Sequence, residues 1–377
     1  MNDNPLKRLT ALGQSVWYDF IRRDLYRSGQ LAKMIREDGL AGMTSNPTIF
    51  QKAIADSDLY DEDIREIGAG GKNAGQIFEG LAVRDVQGAA DVFRPVFDRT
   101  VGNDGFVSIE VQPGLARDTA GTIAEARRLW TSCNRPNVMV KIPGTAEGLE
   151  AIRASLAAGI NINITLLFSV ERYVQVAEAH LAAMEERVSK GLPVDKIRSV
   201  ASFFVSRVDT NADKKLDAVA KSGDAANAAS ARALRGRLGI ANARLAYEAF
   251  ERIVASPRFQ ALKGKGVAVQ RPLWASTSTK DPALPDLYYV EALIAPDSVD
   301  TMPPETVDAY RDHGDPKVRI REDLPGARAV FRQLAELGID PAAIFRELED
   351  EGIKKFADSF DALLKAVSEK EKAVRVA

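Results

Sequence analysis

The chain has 377 residues, 45% hydrophobic and 28% charged, a composition that excludes a disordered chain and allows a sizeable core. Its net charge of −2, with acidic and basic residues interspersed, leaves no electrostatic footprint for nucleic acid and no basic helix for a membrane surface. One cysteine, Cys133, excludes an internal disulfide and a cysteine-rich metal site, and is read as an ordinary small residue in a reducing cytosol.

The first residues, MNDNPLKRLTALGQ, lack the apolar run of a signal peptide, and no stretch approaches the roughly 18 apolar residues of a membrane span. A cytoplasmic protein is expected. Short β-rich runs then recur between longer helical stretches: Ser15 to Phe20, Leu40 to Ser45, Phe106 to Gln112, Val138 to Ile142, Ile160 to Phe168, Val200 to Val208, Val267 to Ala275 and Val290 to Ile294. Between them, helical periodicity marks Asp118 to Trp130, Ala146 to Ala158, Val170 to Val188 and Gly239 to Ala255, the rhythm of a parallel α/β protein. Eight strands favour a (β/α)8 TIM barrel, which absorbs this length as one domain, 1–377, with strands between about 15 and 296.

Ala53 to Thr100 must hold two or three inserted helices, and the small, polar KSGDAANAASAR (221–232) reads as an exposed loop between strands six and seven. Beyond strand eight, Pro303 to Tyr310, Gly326 to Leu337 and Pro341 to Val374 read as helices packed outside the barrel. Pro341 sits near the start of the last, where a missing N–H is harmless. His180, in a helical pattern, and His313, in a polar HGDP turn, have no sequence partner for a triad or a zinc site.

Polar residues cluster where the strand patterns stop: Asp19, Thr44 with Asn46, Glu110, Lys141, Thr165, Ser202 with Arg207, and Ser276. In a (β/α)8 barrel these ends converge on one cavity. Charged groups inside such strands would cost several kcal/mol if unpaired and idle. Lys141, in the apolar run NVMVKIPGT, is the most informative: desolvation disfavours an ammonium there, and a neutral amine attacks ketones. A lysine that snorkels or pairs with a carboxylate is the structural alternative.

GMTSNPTIF (42–50), VMVKIPGTAEGLEAI (138–152), GININITLLFS (159–169) and SVASFFVSRVDT (199–210) resemble the signatures of the transaldolase family, in order and at barrel spacing. RPLWASTSTK (271–280) and LIAPDSVDTMP (293–303) resemble its longer-chain subfamily, and the similarity runs from Val16 to about Pro303. The resemblance implies a Schiff base at Lys141, Asp19 as general acid/base, and Glu110 working with Thr165 through a water. It also implies that Asn46 and Asn163 hold a dihydroxyacetone fragment in a pocket lined by Thr44 and Ser202. The iminium serves as the electron sink, so neither metal nor organic cofactor is implied. The expected partners are sugar phosphates, and the expected assembly is a monomer or homodimer.

The nearest rival in the superfamily is a fructose 6-phosphate aldolase, where the position of Phe204 looks like a tyrosine. A non-catalytic phosphosugar-binding barrel is the rival of another class, and it would be expected to lack one of Lys141, Asp19 and Glu110. Structural competitors also exist: Asp19 pairing with Arg22 or Arg23, Glu110 in an ion pair, Asn46 shaping the turn at Pro47, and Arg207 bridging to Asp209. The chain departs from the family's short form after Ser276, where Ser278 holds the place of a phosphate-binding arginine. Arg207 and Lys280 are expected to bind the phosphate jointly, helped by Ser276 and Ser278.

Overall fold

Strand propensity and pairing meet in chain order. The computed structural model, which describes residues 4–222 and 224–376, has eight parallel strands closed into one barrel. They are β1 (Gln14–Tyr18), β2 (Gly42–Met43), β3 (Phe106–Glu110), β4 (Val138–Pro143), β5 (Ile162–Leu167), β6 (Ser199–Phe204), β7 (Arg271–Ala275) and β8 (Ser298–Met302). The register of β1 against β8, Trp17 opposite Thr301, completes the ring.

Side chains alternate along each strand, so every second residue points into the barrel. Trp17, Phe106, Met139, Val200, Leu273 and Val299 fill its middle as an apolar layer. Trp17 crowds β2 so closely that a Cβ on Gly42 would lie 2.6 Å from its ring, and only glycine fits there. Below this layer, at the N-terminal ends of the strands, Arg271 pairs with Asp104 at 3.1 Å and donates to the Ser15 hydroxyl and the Ser298 carbonyl, both at 2.6 Å. Asp104 also accepts from Ser15 and the Trp17 indole. The polar residues above the apolar layer face the opposite, C-terminal end.

The helices Thr119–Cys133, Ala146–Ala157, Val170–Ser189 and Leu238–Ala255 lie where periodicity placed them. The segment between β2 and β3 holds Pro47–Ala55, Asp61–Gly68 and Ala74–Arg99. After β8 come Pro304–His313, Leu324–Glu336 and the long Pro341–Val376. This last helix returns to pack along Pro47–Ala55. His180 and Cys133 are buried in helices, where burial pulls the imidazole down to about 4 and pushes the thiol up to about 12. His313 ends its helix beside Asp286 and Asp312.

Two expectations are corrected. Val290 to Ile294 is not a strand: Tyr288–Ala292 is a short helix, and the eighth strand is Ser298–Met302. The apolar VEALI is apolar because Val290, Leu293 and Ile294 are fully buried in the core. Nor is 221–232 a loop throughout, since Ala225–Leu234 is a helix capped by Asp224, which accepts from the Asn227 amide. Five alanines in its first seven residues and a good cap outweigh the small polar residues. Most strands are also shorter than expected, and β2 keeps only Gly42–Met43 of Leu40 to Ser45; β6 stops at Phe204, before the helix Ser206–Ser222, and β7 begins only at Arg271. Arg207 therefore sits in the first turn of a helix rather than on a strand.

Candidate active site

The C-terminal ends of the strands open into a cleft of about 900 Å3. Asp19, Thr44, Asn46, Lys141, Thr165, Ser202, Phe204, Arg207, Ser276 and Lys280 line it. Of the other two expected residues, Asn163 lies one layer below, fully buried, donating to Ser108 Oγ at 3.0 Å and accepting from Ser202 Oγ at 2.7 Å. Glu110 faces a small side cavity shared with Gln112 and Glu125.

Lys141 is buried, as its strand implied, and it is also paired. Its Nζ donates to the Ser45 carbonyl at 3.1 Å and lies 3.5 Å from Glu110 Oε2, both side chains being 8% exposed. A structural lysine would share that pairing, so the distinction rests on what surrounds it. Asp19, just beyond β1, accepts from Thr44 Oγ1 at 2.7 Å, and that hydroxyl meets Thr301 Oγ1 at 2.7 Å. Burial raises the Asp19 carboxyl above its usual range, against the pull of Lys141 and the Thr44 hydroxyl. Burial likewise pushes Glu110 up to about 6, again opposed by Lys141. Carboxyls whose affinity for protons is raised, near a primary amine, can give and take protons as carbinolamine chemistry requires. The Thr165 hydroxyl and Glu110 Oε2 are buried without a hydrogen-bond partner.

The structural competitors resolve individually. Arg22 pairs with Asp24, and Arg23 with Asp85 and Asp63, so neither arginine holds Asp19. Asp209 accepts instead from the Gly239 amide and the Tyr289 hydroxyl. Arg207 has no ion pair within 4.0 Å among the described residues; its guanidinium lies 5.1 Å from the centre of the Phe204 ring, which packs on Phe168 at 5.2 Å. Asn46 does shape the turn: its side chain accepts from the Ile49 amide at 3.0 Å and starts the helix at Pro47. It lines the cleft as well.

Sequence reasoning missed the outer wall. Lys52 comes from Pro47–Ala55, and Lys355, Phe356 and Ser359 from Pro341–Val376; Thr48 Oγ1 donates to Ser359 Oγ at 3.1 Å across that wall. No local signal marks these residues, because helices far apart in the chain bring them together. Thr301 was findable in principle, since it stands in the LIAPDSVDTMP segment, but its strand had been placed too early.

A (β/α)8 barrel with a buried lysine beside Glu110, sharing its C-terminal mouth with Asp19, defines a class of enzymes able to form an imine with a carbonyl substrate. The family described as Transaldolase/Fructose-6-phosphate aldolase matches residues 16–367. Proteins named Transaldolase from Frankia alni and Thermobifida fusca are each 47% identical over 367 residues, covering 97% of this chain and 97% and 98% of theirs. Transaldolase 2 of Nostoc punctiforme is 44% identical over 378 residues and 99% of each chain. The chain belongs to the transaldolase/fructose-6-phosphate aldolase family. No helix among the described residues is long and apolar enough to cross a membrane.

Proposed function

We propose that this chain is a transaldolase that moves a dihydroxyacetone unit from sedoheptulose 7-phosphate or fructose 6-phosphate to glyceraldehyde 3-phosphate or erythrose 4-phosphate, in the non-oxidative pentose phosphate pathway. The observation that carries this reading is the buried Lys141 amine, 3.5 Å from Glu110, at a cleft it shares with Asp19. Lys141 attacks the donor's keto carbon. Glu110, with Thr165 and a water, then protonates the carbinolamine hydroxyl so that it leaves as water and the iminium forms. Asp19 takes the proton from the hydroxyl next to the scissile bond, that bond breaks, and its electron pair enters the iminium as an enamine. Asn46 and Asn163 hold the fragment, with Thr44 and Ser202 lining the pocket, until an aldehyde acceptor arrives. The steps then reverse.

Phe204 favours transfer over simple cleavage. A phenyl ring between Phe168 and Arg207 has no hydroxyl to protonate the enamine and release the fragment. The reading goes with a cytoplasmic protein acting as a monomer or homodimer.

Borohydride added with fructose 6-phosphate should reduce the iminium and leave a dihydroxyacetone-derived mass on Lys141, located by peptide mapping. Label on another lysine, or no label, would sink the mechanism.

For the phosphate, Arg207 supplies a planar fork with no ion pair within 4.0 Å among the described residues, and Lys280 reaches back along the loop to donate to Ser278 Oγ at 2.7 Å. Ser276 and Ser278 add hydroxyls on the same wall. Lys280→Ala is expected to raise KM for phosphorylated donors and scarcely change activity on unphosphorylated fructose. Equal effects on both donors, or none on either, would leave Arg207 as the main phosphate ligand.

A further inference from the structure

The loop after β7 alternates between two environments. Ser276, Ser278 and Lys280 line the cleft, whereas Thr277 points away from it and is fully buried. There its hydroxyl donates to Asp300 Oδ1 at 2.9 Å. Asp300 is itself fully buried on β8, opposite Trp274 in the sheet register. The Thr277 hydroxyl is the only hydrogen-bond partner of its carboxylate among the described residues, and Asp300 Oδ2 has none. No arginine, lysine or histidine lies within 4.0 Å of it among the described residues, and the nearby Trp274 Nε1 and Tyr310 hydroxyl are also unpartnered. Burial pushes this carboxyl up to about 7. An acid held without a cation in the core costs stability, so packing alone does not account for it.

What the contact fixes is conformation. Ser276 has φ +58°, a left-handed backbone that a residue other than glycine keeps only when its surroundings impose it. On one side Ser276 is tied to the helix bearing Arg207: its hydroxyl meets Ser206 Oγ at 2.9 Å, and its carbonyl accepts from the Ser206 amide at 2.9 Å. On the other side the tie is Thr277 to Asp300.

We propose that Asp300 is a positioning residue for the substrate phosphate: through Thr277 it holds the loop so that Ser276, Ser278 and Lys280 face the cleft beside Arg207. The proposal rests on the reading of that loop as the phosphate site. It predicts a selectivity effect that a merely structural contact would not produce.

The test is steady-state kinetics of the full chain with fructose 6-phosphate or unphosphorylated fructose as donor, each with unphosphorylated glyceraldehyde as acceptor, and with inorganic phosphate as inhibitor. Thr277→Val, which keeps the shape and removes the hydroxyl, and Asp300→Asn should each raise KM for fructose 6-phosphate about 5- to 10-fold, the scale of one hydrogen bond. Inhibition by phosphate should weaken in parallel, kcat and activity on fructose should hold, and Thr277→Ser should restore the parent values. Parallel losses on both donors, or no change on either, would overturn the proposal. Lys280→Ala and Ser276→Ala separate the two layers of the argument. If they discriminate between the donors and the Thr277 and Asp300 variants do not, the positioning role alone fails. If they do not discriminate either, the loop is no part of the phosphate site, Arg207 is left as the main ligand, and the proposal falls.

Discussion

Asp19→Ala should slow transfer by at least about 100-fold, because a positioned acid/base contributes roughly that much or more. The variant removes the group that takes the proton during carbon–carbon cleavage and disturbs little else. Thr44 keeps its contact with Thr301 at 2.7 Å, and Lys141 keeps Glu110 and the Ser45 carbonyl. Schiff-base formation should therefore survive, and borohydride should still label Lys141 with fructose 6-phosphate. Accumulation of the trapped adduct without released aldehyde is the expected signature. Near-normal turnover would remove Asp19 from its role, and joint loss of labelling and turnover would show that it supports the lysine instead of cleavage.

The second large effect is on stability. Arg271→Leu leaves Asp104 buried at the barrel floor with only the Ser15 hydroxyl and the Trp17 indole as side-chain donors among the described residues. Breaking a buried ion pair from one side typically costs about 3–5 kcal/mol, which for a chain of this size lowers the melting temperature by roughly 5 °C. Thermal unfolding followed by circular dichroism measures this. The double variant Arg271→Leu with Asp104→Leu should regain most of the loss, since an apolar pair leaves no orphaned charge. The apolar layer around Trp17 and Leu273 separates this network from the cleft, so kcat/KM below the transition should match that of the parent. An unchanged melting temperature would mean that Asp104 finds another partner, and lost activity at full stability would mean that the floor communicates with the mouth.

Seven of the strands were legible because apolar β-branched runs sit between turn residues and amphipathic helices. The eighth was not, for a physical reason. SVDTM carries three polar residues in five, and each has a partner that only the closed barrel supplies. Ser298 accepts from Gln14 and, through its carbonyl, from Arg271; Asp300 accepts from Thr277; Thr301 meets Thr44. A strand whose polar groups are answered by residues 23 to 284 positions away looks like a loop when read alone. Much of the cleft floor was readable because residues such as Lys141, Thr165 and Ser202 stand in strands within recognisable motifs. Its outer wall was not, since Lys52 and Lys355 each look like an ordinary solvated helical lysine until the two helices meet.

That wall has a consequence for how the molecule is made. Its halves come from Pro47–Ala55 and Pro341–Val376, so synthesis of the barrel is finished well before synthesis of the wall's second half. At about 5–20 residues per second, the ribosome takes several seconds to add the stretch from the end of β8 to the middle of the last helix. During that interval Phe78, whose ring later meets Phe360 at 5.8 Å, and the apolar face of Pro47–Ala55 are uncovered on the nascent chain. Exposed patches of this kind attract chaperones and other nascent chains. Slowed translation across the last sixty or so codons should therefore lower soluble yield more than the same delay placed before β8, with no change in the specific activity of the molecules that do fold.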